Sequence, residues 1–435
     1  MDPSILILII SFTFLLIIGT PVSISIGVST VLTMLMSIDF IPAVTTTAQR
    51  MGGGLNSFSL LAIPFFILSG LLMGQGGIAR RLVEFAKVLI GMFPGGLAFV
   101  NVISCTLFGA ISGSAVAATS AIGSFMIPTM NKEGYDKNFN AAITVASSTT
   151  GLLIPPSNIL IIYSLASGGV SIAALFVAGY IPGILMAAFL MVVCAIYARI
   201  KKFPVGDKPT FKNIILRSWE AIPSLALIFI VIGGIIKGIF TATEASVIAV
   251  LYAGFLSLVV YKEITWGDLK PLLVKAGETT AIVLLLIATS TAMSWILSYE
   301  NIPQDLSAQL LNLTDNPLVI LLTINIILLL VGVFMDMTPA VLIFTPILLP
   351  VAESLGLSPL HFGIIMIMNL CIGLCTPPVG SVLFVGCSVA KTSIGALIKP
   401  LLPMYVAMIF ALSLVIFIPA LSEFLPVYFG LYELP

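Results

Sequence analysis

The run Gly151-Leu-Leu-Ile-Pro-Pro-Ser-Asn158 recurs 222 residues further along as Gly373-Leu-Cys-Thr-Pro-Pro-Val-Gly380. Each copy lies in a strongly apolar stretch. Proline has no N–H to donate, so a Pro-Pro step there breaks a helix and frees backbone carbonyls at membrane depth. Free carbonyls with hydroxyl and amide oxygens beside them are ligands for small, redox-inert cations. Two small polar runs can complete such sites: Ser112-Gly113-Ser114 interrupts the apolar stretch 95–131, and Asp336-Met337-Thr338-Pro339 interrupts 316–352. The first candidate sodium site is therefore Ser112, Gly113, Ser114, Ile154, Pro156, Ser157 and Asn158, with Ile154 and Pro156 contributing carbonyls. The second is Asp336, Thr338, Gly373, Cys375 and Thr376. A substrate anion held between them would meet Ser112, Ser157, Asn158, Thr338 and Thr376, together with the partial positive charge at half-helix N-termini. The competing reading is that small hydroxylated residues only permit close helix packing. It suits Ser147-Ser-Thr-Thr150 taken alone, and suits the duplicated tips and breaks less well.

Of the 435 residues, 59% are hydrophobic and 8% charged, with a mean hydropathy of +1.21. That composition belongs to a polytopic membrane protein embedded in a lipid bilayer. No Gly-x-x-x-x-Gly-Lys-Ser/Thr run is present, so ATP hydrolysis is not expected from this chain. A net charge of zero gives no sign of a nucleic-acid partner. The five cysteines (Cys105, Cys194, Cys371, Cys375, Cys387) all sit in apolar stretches and form no disulfide framework. Cys371 and Cys375 share a helix face, but two thiols are too few for a metal centre. No cofactor is expected beyond sodium as coupling ion.

Membrane crossings are expected near 3–20, 22–41, 55–75, 139–168, 171–200, 217–237, 241–262, 276–299, 358–390 and 393–423. The stretch 95–131 divides into Leu97–Ile111 and Ala115–Met130, arms of roughly 15 residues or ~22 Å of helix, and 316–352 divides in the same form into Asn316–Val333 and Ala340–Ala352. Such arms are short of the ~30 Å hydrocarbon core, so each reads as a re-entrant hairpin. With ten crossings, 16 of the 18 Lys and Arg residues share one face, leaving Arg50 and Lys237 opposite. The positive-inside rule makes the rich face cytoplasmic and places both termini outside. The second half then starts on the opposite side from the first. The expected fold is an all-α polytopic protein of two inverted repeats, each of five transmembrane helices and a re-entrant hairpin. The repeats are 1–200, with a broken helix at 139–168, and 217–435, with a broken helix at 358–390; 201–216 is a cytoplasmic connection.

Segments 76–92 and 262–275 mix charge with hydrophobes and suit interfacial helices or charged loops equally. Thr241 and Glu244 have capping-box spacing. Few titratable groups lie at membrane depth, which favours sodium over proton as the driving ion, with Asp336 the best-placed exception. An intramembrane serine protease would pair Ser112 with His361, but these fall toward opposite faces, so the chain is read as a non-enzyme.

Ile63-Pro-Phe-Phe-Ile-Leu-Ser-Gly70, the Ser112-Gly113-Ser114 tip, Gly151–Asn158, Phe240-Thr-Ala-Thr-Glu-Ala245 and Cys375-Thr-Pro-Pro-Val-Gly380 occur in that order along essentially the whole chain. In these motifs the sequence resembles the large membrane subunit of tripartite ATP-independent periplasmic (TRAP) transporters. Val379-Gly380 departs from Ser-Asn, so the second site is not a chemical copy of the first. The resemblance implies sodium-driven, elevator-type uptake of an organic acid in the bacterial inner membrane, with sialic acid favoured and C4-dicarboxylates next. It also implies a small four-helix membrane subunit as a separate chain and a periplasmic substrate-binding protein. Arg50, in the outer segment 42–54, is the candidate docking residue for that protein. The rival readings are a stand-alone ion-coupled anion carrier and a non-transporting assembly subunit.

Overall fold

A computed structural model describes residues 3–206, 209–313 and 316–433. The first half contains α1 (Pro3–Ile17), α2 (Val22–Met34), α3 (Phe40–Leu55), α4 (Ala62–Gln75), α5 (Ile78–Ile90), α6 (Gly96–Ser112), α7 (Ala115–Lys132), α8 (Lys137–Thr150), α9 (Asn158–Ala166), α10 (Ile172–Ala178) and α11 (Tyr180–Lys201). The second contains α12 (Phe211–Ile236), α13 (Ala242–Phe255), α14 (Trp266–Tyr299), α15 (Ile302–Leu313), α16 (Pro317–Phe334), α17 (Met337–Ser354), α18 (Pro359–Leu374), α19 (Ser381–Ala390), α20 (Ile394–Phe417) and α21 (Ala420–Tyr428). An offset of 222 carries α7 onto α17 residue for residue, and brings α5, α6, α8 and α9 within about two residues of α15, α16, α18 and α19. The fold is all-α, built as two inverted repeats with a helical hairpin in each.

Local chemistry sets the boundaries. Asp136 and Ser358, equivalent positions in the two repeats, cap α8 and α18 by accepting from Phe139 N (2.9 Å) and His361 N (3.1 Å). Such caps satisfy donors that a helix start leaves free. Ser114 caps α7 through Ala117 N at 3.2 Å. Thr241 and Glu244 form the expected capping box on α13: Glu244 accepts from Thr241 N at 2.8 Å, and Thr241 Oγ1 accepts from Glu244 N at 3.2 Å. Pro155-Pro156 ends α8, and Pro377-Pro378 follows α18, as proline's missing N–H dictates.

The broken helices form the centre. Every residue of α8 from Phe139 to Thr150 and of α18 from Leu360 to Leu374 is buried. Arms α6 and α7 pack on α8, α16 and α17 pack on α18, and α19 and α20 reach across to α8. Around this, α4 lies along α13, and α2 and α3 lie along α14. On the charged face, Arg80 and Arg81 of α5 pair with Glu263, and Lys137 Nζ donates to Lys391 O at 2.9 Å. These contacts bring segments 76–92 and 262–275 together, and likewise 131–138 and 391–399.

Several boundaries differ from expectation. The segment 42–54, read as an outer loop, lies within helix α3. Residues 266–275 are not a separate interfacial helix but the first turns of α14, whose 34 residues extend ~51 Å, well beyond one bilayer core. Residues 78–90 do form a helix with a charged face, α5, whose repeat equivalent is α15. The hairpin arms run to 17 or 18 residues, ~26 Å; three are longer than anticipated, and α16 matches its expected 18. Both arms of the second hairpin are among the eight helices of the described residues that are long and apolar enough to span by length and composition. The tip of that hairpin meets the break: Asp336 accepts from Ser381, which opens α19 in the middle of the broken helix α18–α19.

Candidate functional site

Each hairpin meets a broken helix through bare backbone. A methyl added to Gly151 would lie 2.4 Å from the Gly109 Cα, and one on Gly373 would lie 2.5 Å from Gly332 backbone atoms. Side chains at these crossings would hold the hairpins off the breaks. Rungs of polar side chains run beside them: Asn101 donates to Thr144 Oγ1 at 2.6 Å, Thr106 and Thr150 share a 2.7 Å hydrogen bond, and Asn369 donates to Asn325. The hydroxyls of Ser147, Ser148, Thr149 and Thr150 bond carbonyls three or four residues back in α8, which is the packing role.

At the first break the tip arrives as Gly113, in a left-handed turn (φ +62°) that favours glycine. A Cβ there would stand 3.1 Å from Asn158 Nδ2, so tip and break touch. Ser112 is buried, and its hydroxyl lies 3.4 Å from both the N and the O of Ser114. Gly70 of α4 backs the tip, since a Cβ there would lie 2.9 Å from the Ser112 carbonyl. Pro156 faces Ser69, Ile111 and Leu227, where the break meets α4, α6 and α12. Asn158 Oδ1 is buried and has no hydrogen-bond partner among the described residues. A buried acceptor left unpaired costs ~1–3 kcal/mol, and a cation would relieve that cost.

The two breaks handle their freed carbonyls differently. Pro156 and Pro378 deprive the carbonyls four residues earlier, Leu152 and Leu374, of their helical donors. Ser157 Oγ donates to Leu152 O. The equivalent of Ser157 is Val379, and no donor among the described residues reaches Leu374 O. Gly380 leaves this oxygen room, because a Cβ at Gly380 would sit 2.6 Å from it and 2.9 Å from Thr376 O.

Other assigned atoms of the second site already have partners. Gly373 O accepts from Thr376 N at 2.9 Å, and Thr376 Oγ1 donates to Ile372 O at 2.8 Å. Cys375 O accepts from Tyr405 Oη at 2.6 Å. Thr338 falls inside the first turn of α17 rather than in an unwound tip, because the helix starts at Met337. Asp336 remains accessible and accepts from Ser381 Oγ at 3.2 Å.

Ser381 and Tyr405 were not legible as site residues. Leu374 lies between the candidates Gly373 and Cys375, and counting four back from the second proline singles out its carbonyl. Tyr405 comes from α20, 30 residues away, and its repeat equivalent is Gly183, which packs directly on Ile154. The N-termini of α9 and α19 carry no side-chain cap, at Ser157 and Gly380 respectively. Their free N–H groups and partial positive charge therefore face the breaks.

The remaining polar candidates lie elsewhere. Arg50 is on α3 with its guanidinium 5.2 Å from the Trp295 ring centroid, a cation–π contact and not a free loop charge. His361 is buried in the first turn of α18, and its Nδ1 is 2.6 Å from Ser422 Oγ. Cys371 and Cys375 lie with Sγ atoms against the Thr149 and Val145 carbonyls, tying α18 to α8.

Comparison with known proteins agrees with this architecture. The family model described as "Tripartite ATP-independent periplasmic transporter, DctM component" matches residues 9–421. YgiK of Salmonella typhimurium is 51% identical, covering 97% of this chain and 96% of that protein. The C4-dicarboxylate TRAP transporter large permease protein DctM of Pseudomonas aeruginosa is 40% identical over 94% and 95%. The sialic acid TRAP transporter large permease protein SiaM of Vibrio cholerae is 40% identical over 87% and 88%. Among solved structures, the YdaH transporter of Alcanivorax borkumensis shares the fold, with a TM-score of 0.66 at 15% identity over 91% of this chain and 90% of that one. The chain is thus a multi-pass membrane transport protein and belongs to the DctM component, or large permease, of the TRAP transporter family.

Proposed function

We propose that this chain imports an organic acid delivered by a periplasmic binding protein, driven by sodium, with hairpins and broken helices moving as an elevator against the remaining helices. The observation that carries the reading is the unpaired Asn158 Oδ1 where the Gly113 tip meets the first break. Hydroxyl, amide and carbonyl oxygens gathered without a charge at the first break suit sodium, whereas a proton relay would need titratable groups there. The uncapped N-termini of α9 and α19 supply the attraction for a substrate carboxylate without a buried Arg or Lys. Residues 1–200 and 217–435 act as the two repeats, joined by 201–216. The charge-rich face is cytoplasmic, both termini are periplasmic, and the membrane is the bacterial inner membrane.

Relatives of near-equal identity carry names specifying C4-dicarboxylate and sialic acid, so identity does not choose between those acids. The small membrane subunit is proposed as a separate polypeptide, although one relative, the isethionate permease DctMQ, extends well beyond this chain's match, which covers 65% of it. Arg50, held on α3 by Trp295, is the proposed contact for the binding protein.

The test is uptake into proteoliposomes containing this chain and its small subunit, with binding protein and a panel of acids. Ser112→Ala with Ser114→Ala should raise the sodium concentration for half-maximal uptake. An unchanged sodium dependence would remove the first site from the mechanism. Transport by this chain alone would support the stand-alone carrier instead.

A further inference from the structure

A groove of about 560 Å³ opens where the end of α5 turns into α6 and both face α11. Its walls are apolar, with Ile90, Phe93, Phe99, Ile103 and Met191, and its one charged lining residue is Arg199. Met191 and Arg199 are eight residues apart on α11, so the trough is ~12 Å long and ends at a cation. Arg199 is exposed and makes no ion pair or hydrogen bond among the described residues. It lies in the last, basic turn of α11, where the chain's positive charge concentrates.

We propose that this groove is a binding site for an anionic phospholipid, with one acyl chain in the trough and the phosphate on Arg199. The charge pattern decides for lipid over a hydrophobic partner helix: an unpaired guanidinium at the membrane-surface end of an apolar trough complements an anionic headgroup above a hydrocarbon tail. A partner helix would have to bury that cation or supply an acid opposite it. The site lies at the joint between α5 and the hairpin, where Gly95 turns with φ +77° and its N–H bonds Pro204 O at 3.4 Å. A lipid seated there braces the elbow that carries the first hairpin.

The experiment is native mass spectrometry of the full chain, purified with equal amounts of phosphatidylglycerol and phosphatidylethanolamine. Wild type should retain phosphatidylglycerol selectively. Arg199→Gln should reduce that retention about fivefold, the worth of one basic residue at an anionic surface. Ala195→Leu, which fills the trough and leaves Arg199 in place, should reduce it as well. Lys201→Gln, on the same helix end but outside the groove, should leave it unchanged. Equal retention by all four proteins, or no preference for phosphatidylglycerol, overturns the proposal. Displacement of the lipid by added small subunit would assign the groove to that partner and overturn it too.

Discussion

The glycine crossings offer the sharpest perturbation. In Gly151→Ala the new methyl would stand 2.4 Å from Gly109 Cα, 2.6 Å from Gly109 C and 2.7 Å from Ala110 N. Carbon atoms rest at about 3.5–4.0 Å, so relief requires α6 and α8 to part by about 1 Å. All three neighbours are backbone, and no rotamer change can absorb the strain. The cost falls in the overpacking range of ~1–3 kcal/mol. Cation ligands tolerate only ~0.2 Å of error, so a 1 Å shift of tip from break should impair binding more than stability. The expected result is a sodium half-saturation for uptake raised at least about tenfold, with a lower unfolding temperature that sodium no longer raises. Gly109→Ala, whose methyl would come only to 2.9 Å, should do less, and Gly52→Ala, with nothing within 4 Å, should do nothing. Gly151→Ala with wild-type sodium dependence and stability would refute the argument that this contact sets the site.

Ser157→Ala removes the donor to Leu152 O and should destabilise by ~1–3 kcal/mol in thermal or denaturant unfolding. Val379→Ser tests the converse, because a hydroxyl there can cap Leu374 O; sodium affinity should fall while stability rises. Tyr405→Phe deletes the bond to Cys375 O, frees that carbonyl for the ion and should lower the sodium requirement with little change in maximal rate, whereas a loss confined to expression level would mark a packing role. Asp336→Asn should alter sodium dependence and leave proton dependence as in wild type; loss of a proton-gradient dependence that wild type shows would point to proton coupling through this carboxyl.

The duplicated Pro-Pro run, the two polar tips and the charge asymmetry were sufficient for an all-α, inverted-repeat membrane fold. Each is a local signal: proline lacks a donor, apolar length is set by bilayer thickness, and basic residues mark one face. The Thr241–Glu244 capping box was readable for the same reason, since all its partners lie within four residues. The segment 42–54 was misread because its Pro, Thr and Gly content has weak helix propensity, while its packing along α14 supplies what propensity lacks.

The site divides along the same line. That both breaks carry free carbonyls follows from the chain's own covalent chemistry. Which carbonyl stays free depends on groups distant in sequence or on the absence of a side chain: Ser157 claims Leu152 O, Val379 cannot claim Leu374 O, and Tyr405 claims Cys375 O from another helix. The glycine contacts that bring hairpin to break exist only as distances between separate helices. Periodicity and composition describe one segment at a time, so ligands assembled by packing become visible only once the helices are in place.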